Sequence, residues 1–127
     1  DVSQLGTMVL GTVQGDVHTI GKDIYRVMAE ASGIKVIDIG IDVPHAKFVE
    51  AIKEYQPDVV GMCCLITLGV DSMKQTIEVI KEAGLRDQVK IIIGGGRVSE
   101  AVKDFVGADA WADDAARGTR VTKELLG

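Results

Sequence analysis

The sequence predicts an α/β fold, a five-stranded parallel sheet with helices on both faces. Three observations predict it. Short apolar runs alternate five times with helix-length amphipathic stretches along the 127 residues, the repeat that builds a parallel sheet. The runs are continuously apolar, as strands buried on both faces require. Between them stand Gly, Pro, Ser and Asp where helices should start and stop.

The runs are Thr7–Gly11, Lys35–Gly40, Asp58–Cys64, Lys90–Ile93 and the short Ala110–Ala112. The first helix, Gly21–Ser32, carries Ile24, Val27, Met28 and Ala31 on one stripe. The second, Pro44–Tyr55, opens with Pro in an early helical position and spaces Ala46, Phe48, Val49 and Ile52 near a 3.6 period. Val70–Ala83 repeats the pattern with Met73, Ile77, Val79 and Ile80, and Gly84 stands where a C-terminal cap belongs. Ser99 caps a fourth helix with Ala101, Val102 and Phe105. Asp113 and Asp114 open the last, which ends near Leu126.

Right-handed crossovers leave few ways to order such strands. The flavodoxin-like, Rossmann-like order 2-1-3-4-5 fits best. Ligands of these sheets sit beyond the carboxyl ends of the strands, beside strand 1. Chemistry is therefore expected on Gly15–Gly21, Cys63–Gly69, Gly94–Ser99 and Asp113–Arg117.

Composition narrows the partners. The net charge is −5 and aromatics are 4%, a poor match for nucleic acid or an anionic membrane surface. No apolar run approaches the roughly 20 residues of a membrane-spanning helix. The two cysteines, Cys63 and Cys64, are adjacent, which points to a reducing, cytoplasmic compartment rather than to a disulfide framework.

The loop after the first strand is the most informative. In Gly15-Asp16-Val17-His18-Thr19-Ile20-Gly21-Lys22, an imidazole stands two residues from a carboxylate. A carboxylate on one ring nitrogen fixes the tautomer and strengthens the other nitrogen as a metal ligand. Two His and no Cys-x-x-Cys pair cannot hold a bare zinc ion. A metal at His18 would bring its other ligands with it, as a macrocycle does. The other candidates have ordinary readings. Cys63 and Cys64 suit the end of a buried strand, His45 an exposed first helical turn, and Trp111 packing. Gly94–Gly96 lacks the spacing of a dinucleotide fingerprint or a P-loop.

Asp16-x-His18-x-x-Gly21 resembles the Asp-x-His-x-x-Gly motif of cobalamin-binding domains. The wider string is similar to the methionine synthase and corrinoid methyltransferase branch. Cys63-Cys64-Leu65-Ile66-Thr67 falls where that family carries Ser-x-Leu, and Gly94-Gly95 where it carries a Gly-Gly turn. The resemblance runs from about Thr7 to Leu126. It implies a base-off cobalamin or related corrinoid with His18 as the lower axial ligand of cobalt and Asp16 orienting it. It places Gly15, Val17, Thr19 and Ile20 among the cofactor-binding residues, and Gly21, Cys63, Leu65, Thr67, Gly94, Gly95 and Ala115 near the nucleotide tail. Two positions depart from the pattern. Cys63 replaces a Ser, offering a weaker donor to the tail. Gly69 stands where methionine synthase has a Ser joined to the Asp–His pair.

The resemblance implies a methyl carrier. Cobalt would take a methyl group through one partner methyltransferase and yield it through another, to an acceptor such as tetrahydrofolate or a thiol. No residue is placed to activate donor or acceptor, so turnover of this chain alone is not expected. Two alternatives share the motif: the small subunit of an adenosylcobalamin-dependent mutase, and a cobalamin-binding sensor domain. Residues 1–127 read as one domain. Corrinoid proteins of this kind carry a helical cap ahead of it, absent from this sequence. The expectation is that the parent polypeptide has one and that the domain alone leaves the upper face of the corrin open.

Overall fold

A computed structural model describes residues 5–127. The strands are β1 (Gly6–Val13), β2 (Ile34–Val43), β3 (Val59–Cys63), β4 (Lys90–Gly94) and β5 (Ala110–Ala112). They form one sheet in the order β2-β1-β3-β4-β5, and every pairing is parallel. The helices are α1 (Ile20–Ala31), α2 (His45–Tyr55), α3 (Leu68–Glu82), α4 (Glu100–Val106) and α5 (Ala115–Leu126).

Strand alternation divides the core in two. Val9, Val60, Met62, Ile91 and Ile93 point to one face and pack with Phe48 and Ile52 of α2, Met73, Ile77 and Ile80 of α3, and Val106 of α4. Met8, Leu10, Val59 and Ile92 point to the other, where Tyr25 and Ala29 of α1 and the partly buried Val121 and Leu125 of α5 cover them. The caps act as read: Ser99 Oγ accepts from Val102 N at 3.2 Å, Asp114 Oδ1 from Arg117 N at 2.7 Å, and Gly84 takes a positive φ of 77°.

Three expectations need correction. The apolar stripe of α1 faces outward: Ile24 and Val27 are 50% and 64% exposed, and Met28 and Ala31 are exposed as well. Its inward residues are Lys22, Tyr25 and Ala29. Lys22 tolerates burial because its ammonium meets Asp38 Oδ2 at 2.6 Å and Asp23 Oδ1 at 3.2 Å. Burial alone would lower its pKa, but these two carboxylates outweigh it and raise it. Phe105 on α4 is 52% exposed, its ring under Lys74 Nζ at 4.2 Å. His45 is half-buried rather than exposed, with Nδ1 at 2.7 Å from Thr76 Oγ1 and Nε2 at 3.1 Å from Gln75 Oε1.

Candidate functional site

The site begins where β1 ends. A turn from Asp16 N to Val13 O, 3.0 Å, reverses the chain through Gly15, whose φ of 90° favours glycine. The end of β2 clamps this turn. Asp42 Oδ1 accepts from Gly15 N at 2.8 Å, and Asp42 N donates to Asp16 O at 2.8 Å.

The Asp16 carboxylate is 1% exposed and serves as a hub. One oxygen accepts from His18 N at 2.9 Å and His18 Nδ1 at 2.8 Å. The other accepts from Leu65 N at 2.6 Å and, at 3.4 Å, Ile66 N. Burial alone would raise the Asp16 pKa. The N–H donors of Leu65 and His18, the His18 ring and Ile66 N outweigh it and hold the carboxyl below its ordinary 3.8. One side chain thus fixes the loop after β1, the loop after β3 and the imidazole together.

His18 is held from behind as well, its carbonyl accepting from buried Thr12 Oγ1 at 2.9 Å. Its side chain is half exposed. An ionised carboxylate can only accept, so Nδ1 carries a proton, and in the neutral ring the lone pair is then on Nε2. Among the described residues no side chain hydrogen-bonds Nε2. Nor does any group of three or more His, Cys, Asp or Glu converge to hold a metal. On the loops at this end of the sheet, Val17 and Ile20 beside His18, Leu65 and Leu68 after β3, and Ile41 near the end of β2 are all exposed. They form an apolar rim at the carboxyl ends of three adjacent strands.

From His18 an open cavity of about 130 Å³ runs between the sheet, α1 and α5. Of the residues singled out from sequence, His18, Gly21, Cys63, Leu65, Gly94, Gly95 and Ala115 line it. Asp16 lies beneath His18, while Gly15, Val17, Thr19, Ile20 and Thr67 are not on the cavity wall. Lys22, Tyr25 and Gly118 line it too and escaped the sequence reading. Tyr25 and Gly118 sit on helix faces whose orientation only packing reveals. Lys22 is adjacent to the motif, but its burial depends on Asp38, 16 residues away.

The glycines show what the cavity is for. A Cβ on Gly95 would run into the Cys64 backbone, and its φ is 124°; a Cβ on Gly69 would collide with Cys64 Cβ. Both are required by the fold, so no Ser fits at 69. Gly21 differs. It lies within α1 without a positive φ, and nothing stands within 4 Å of where its Cβ would be. Glycine there costs helix stability with no steric return inside the protein. Gly94 meets only the Ala112 carbonyl, at 3.5 Å. Both border the cavity and keep open space that a side chain would fill. A planar group ligated at His18, with an arm running past Gly21 and Gly94, fits these residues.

The B12 binding domain family model matches residues 6–125. Dimethylamine corrinoid protein 3 of Methanosarcina mazei is 44% identical over 124 residues, 98% of this chain and 74% of that protein. The structure of a cobalamin-binding protein from Desulfitobacterium hafniense superposes with a TM-score of 0.92 at 47% identity, over 95% of this chain and 59% of that one. A chain of the methanol:cobalamin methyltransferase complex of Methanosarcina barkeri matches with a TM-score of 0.90 at 26% identity, over 98% of this chain and 47% of its own length. The chain therefore spans about half to three quarters of these relatives.

Proposed function

The chain belongs to the B12 binding domain family, and we propose that it holds a base-off corrinoid through His18 and carries a methyl group between partner methyltransferases. The observation that carries this reading is the Asp16–His18 pair: Nδ1 is held at 2.8 Å by a buried carboxylate, and the free Nε2 stands at the mouth of a cavity. When bound, the corrinoid supplies a cobalt centre able to accept and release a methyl group.

The residues of this chain have separate tasks. Asp16 orients the imidazole and holds the Nδ1 proton, which strengthens Nε2 as a donor to cobalt. Because the same carboxylate binds Leu65 N and Ile66 N, the ring is aimed by a hub that two loops share. Val17, Ile20, Leu65 and Leu68 give the ring system an apolar seat, and Gly21 and Gly94 leave room for its arm. Thr19 and Gly15 shape the loop. Cys63, Gly95 and Ala115 border the arm, with Thr67 at the start of α3.

Partner methyltransferases are proposed because the relatives above work in methylamine and methanol systems by name. Residues 1–127 act as the cofactor-bearing domain of such a system. Two free thiols suit a reducing cytoplasm, and no helix among the described residues is long and apolar enough to cross a membrane. The acidic charge of −5 disfavours nucleic acid as a partner.

The test is an absorption spectrum of the 127-residue chain after mixing with hydroxocobalamin and desalting. Corrin bands at about one equivalent per chain are the expected result. In the His18→Ala variant some corrin stays, but the cobalt(II) electron paramagnetic resonance spectrum loses the splitting from a protein nitrogen. No retained corrin, or splitting unchanged in the variant, overturns the reading.

A further inference from the structure

We infer that the irregular end of β2, from Asp38 to Asp42, is a positioning device for His18: it grips both ends of the loop that carries the imidazole and so sets how tightly that ring holds cobalt. This rests on the corrinoid reading above and adds to it the residues that aim the ligand.

β2 does not run evenly beside β1. It falls out of register between Leu10 and Gly11 and again between Gly11 and Val13, so it carries residues there that β1 does not match, as a bulged strand does. Two backbone angles belong to this irregularity. Gly40 has a φ of 103° and Asp42 a φ of 48°, the left-handed region that most side chains enter at a cost and that Asn and Asp tolerate best. Bulges re-aim side chains, and here two carboxylates meet the His18 loop.

Asp42 holds the start of the loop. Its Oδ1 accepts from Gly15 N at 2.8 Å, and its own N–H donates to the Asp16 carbonyl at 2.8 Å. Asp38 holds the end. Its Oδ2 accepts from the Lys22 ammonium at 2.6 Å, and Lys22 follows Gly21 in the first turn of α1. Its Oδ1 accepts from Gly40 N at 2.9 Å, so the same carboxylate shapes the bulge that presents Asp42. Neither carboxylate hydrogen-bonds the imidazole; Asp16 does. The rotation of the ring is therefore set by Asp16, and its place by where β2 holds the loop backbone. The His18 side chain is half exposed, so packing alone does not fix it. A loop released at one end samples arrangements in which Nε2 misses cobalt, and ligation weakens by the fraction of time lost.

The experiment loads the 127-residue chain with cobalamin, reduces it to cobalt(II) and adds free imidazole labelled with heavy nitrogen. Its splitting in the electron paramagnetic resonance spectrum differs from that of the natural ring, so the midpoint of replacement measures how tightly His18 holds the metal. Asp42→Gly keeps the positive φ and removes the acceptor; corrin stays bound and the midpoint falls about fivefold, the effect of one lost hydrogen bond. Asp42→Asn keeps both features and the natural midpoint. Gly40→Ala adds a methyl that meets nothing within 4 Å but disfavours the backbone angle of the bulge, and its midpoint falls as well. Val106→Ala, buried on the far face, lowers stability in urea and leaves the midpoint in place. An Asp42→Gly midpoint at the natural value, an Asn variant as weak as the Gly variant, or an equal shift in Val106→Ala overturns the inference. If circular dichroism shows Asp42→Gly unfolded, Gly40→Ala decides alone: a natural midpoint there overturns it. A natural chain that binds corrin without splitting from a protein nitrogen overturns the His18 reading itself, and this inference with it.

Discussion

The two faces of the sheet are built differently. On the side of α2, α3 and α4, large side chains close every gap: Phe48, Met73 and Ile80 are fully buried against Val9, Val60 and Ile91. On the side of α1 and α5 the buried cluster is smaller, glycines replace bulk at 61 and 118, and the cavity opens toward His18. One face holds the fold together; the other holds space. The two histidines follow this division. His45, on the closed side, spends both ring nitrogens on α3. His18 spends one on Asp16, and no side chain among the described residues hydrogen-bonds the other. The chemistry available to an imidazole depends on what its neighbours leave unpaired.

Substitutions on each face sharpen this contrast. The largest effect is expected from Phe48→Ala, which empties a fully buried site and costs about 3–5 kcal/mol. Urea denaturation measures it, and corrin retention by the folded fraction stays unchanged. If Phe48→Ala abolished corrin binding while the chain remained folded, the faces would not be independent.

Asp16→Ala comes next, because Asp16 belongs to both structure and site. It strands the N–H groups of Leu65 and His18, a loss of about 2 kcal/mol, and frees the His18 ring. The linked pH effect has a definite sign. The folded-state pKa of Asp16 is depressed below 3.8, so its stabilisation is present above that value and disappears as pH falls through the lowered pKa. Denaturation midpoints of the natural chain should therefore drop in that acid range, and those of Asp16→Ala should drop less.

The smallest stability change, and the most diagnostic, is Gly21→Ala. Replacing a helical glycine with no positive φ and no neighbour within 4 Å is expected to stabilise the chain by up to about 1 kcal/mol. The same methyl enters the cavity border and weakens cobalamin binding. Paired thermal melts and absorbance titrations read the two effects. Unchanged binding would mean that glycine at this position keeps no space for a ligand.

Much of this was legible in the residues. Continuous apolar runs identified five parallel strands, and the βα alternation led to the order 2-1-3-4-5 that the sheet adopts. Gly15, Asp16 and His18 were legible because a turn, a carboxylate and an imidazole two residues apart make their contacts locally. The orientation of α1 was not. Its stripe of Ile24, Val27 and Met28 has the right period for burial, yet Lys22, Tyr25 and Ala29 are inside. Periodicity reveals that a helix has an apolar face but not which face the sheet takes. In α1, Asp38 draws Lys22 inward and Thr122 secures Tyr25, partners 16 and 97 residues away.

The sequence by itself therefore determined the strand count and order, the loop that carries His18, and the partnership of that histidine with Asp16, all of which depend on local periodicity and near-neighbour chemistry. Only the tertiary structure decided that Asp16 also binds the loop after β3, that Tyr25 and Gly118 line a cavity, and that Gly95 and Gly69 serve packing while Gly21 serves open space. Those outcomes depend on which atoms meet across distant segments. That is set by the balance of burial, hydrogen bonding and steric fit over the whole fold, which no single stretch of chain contains.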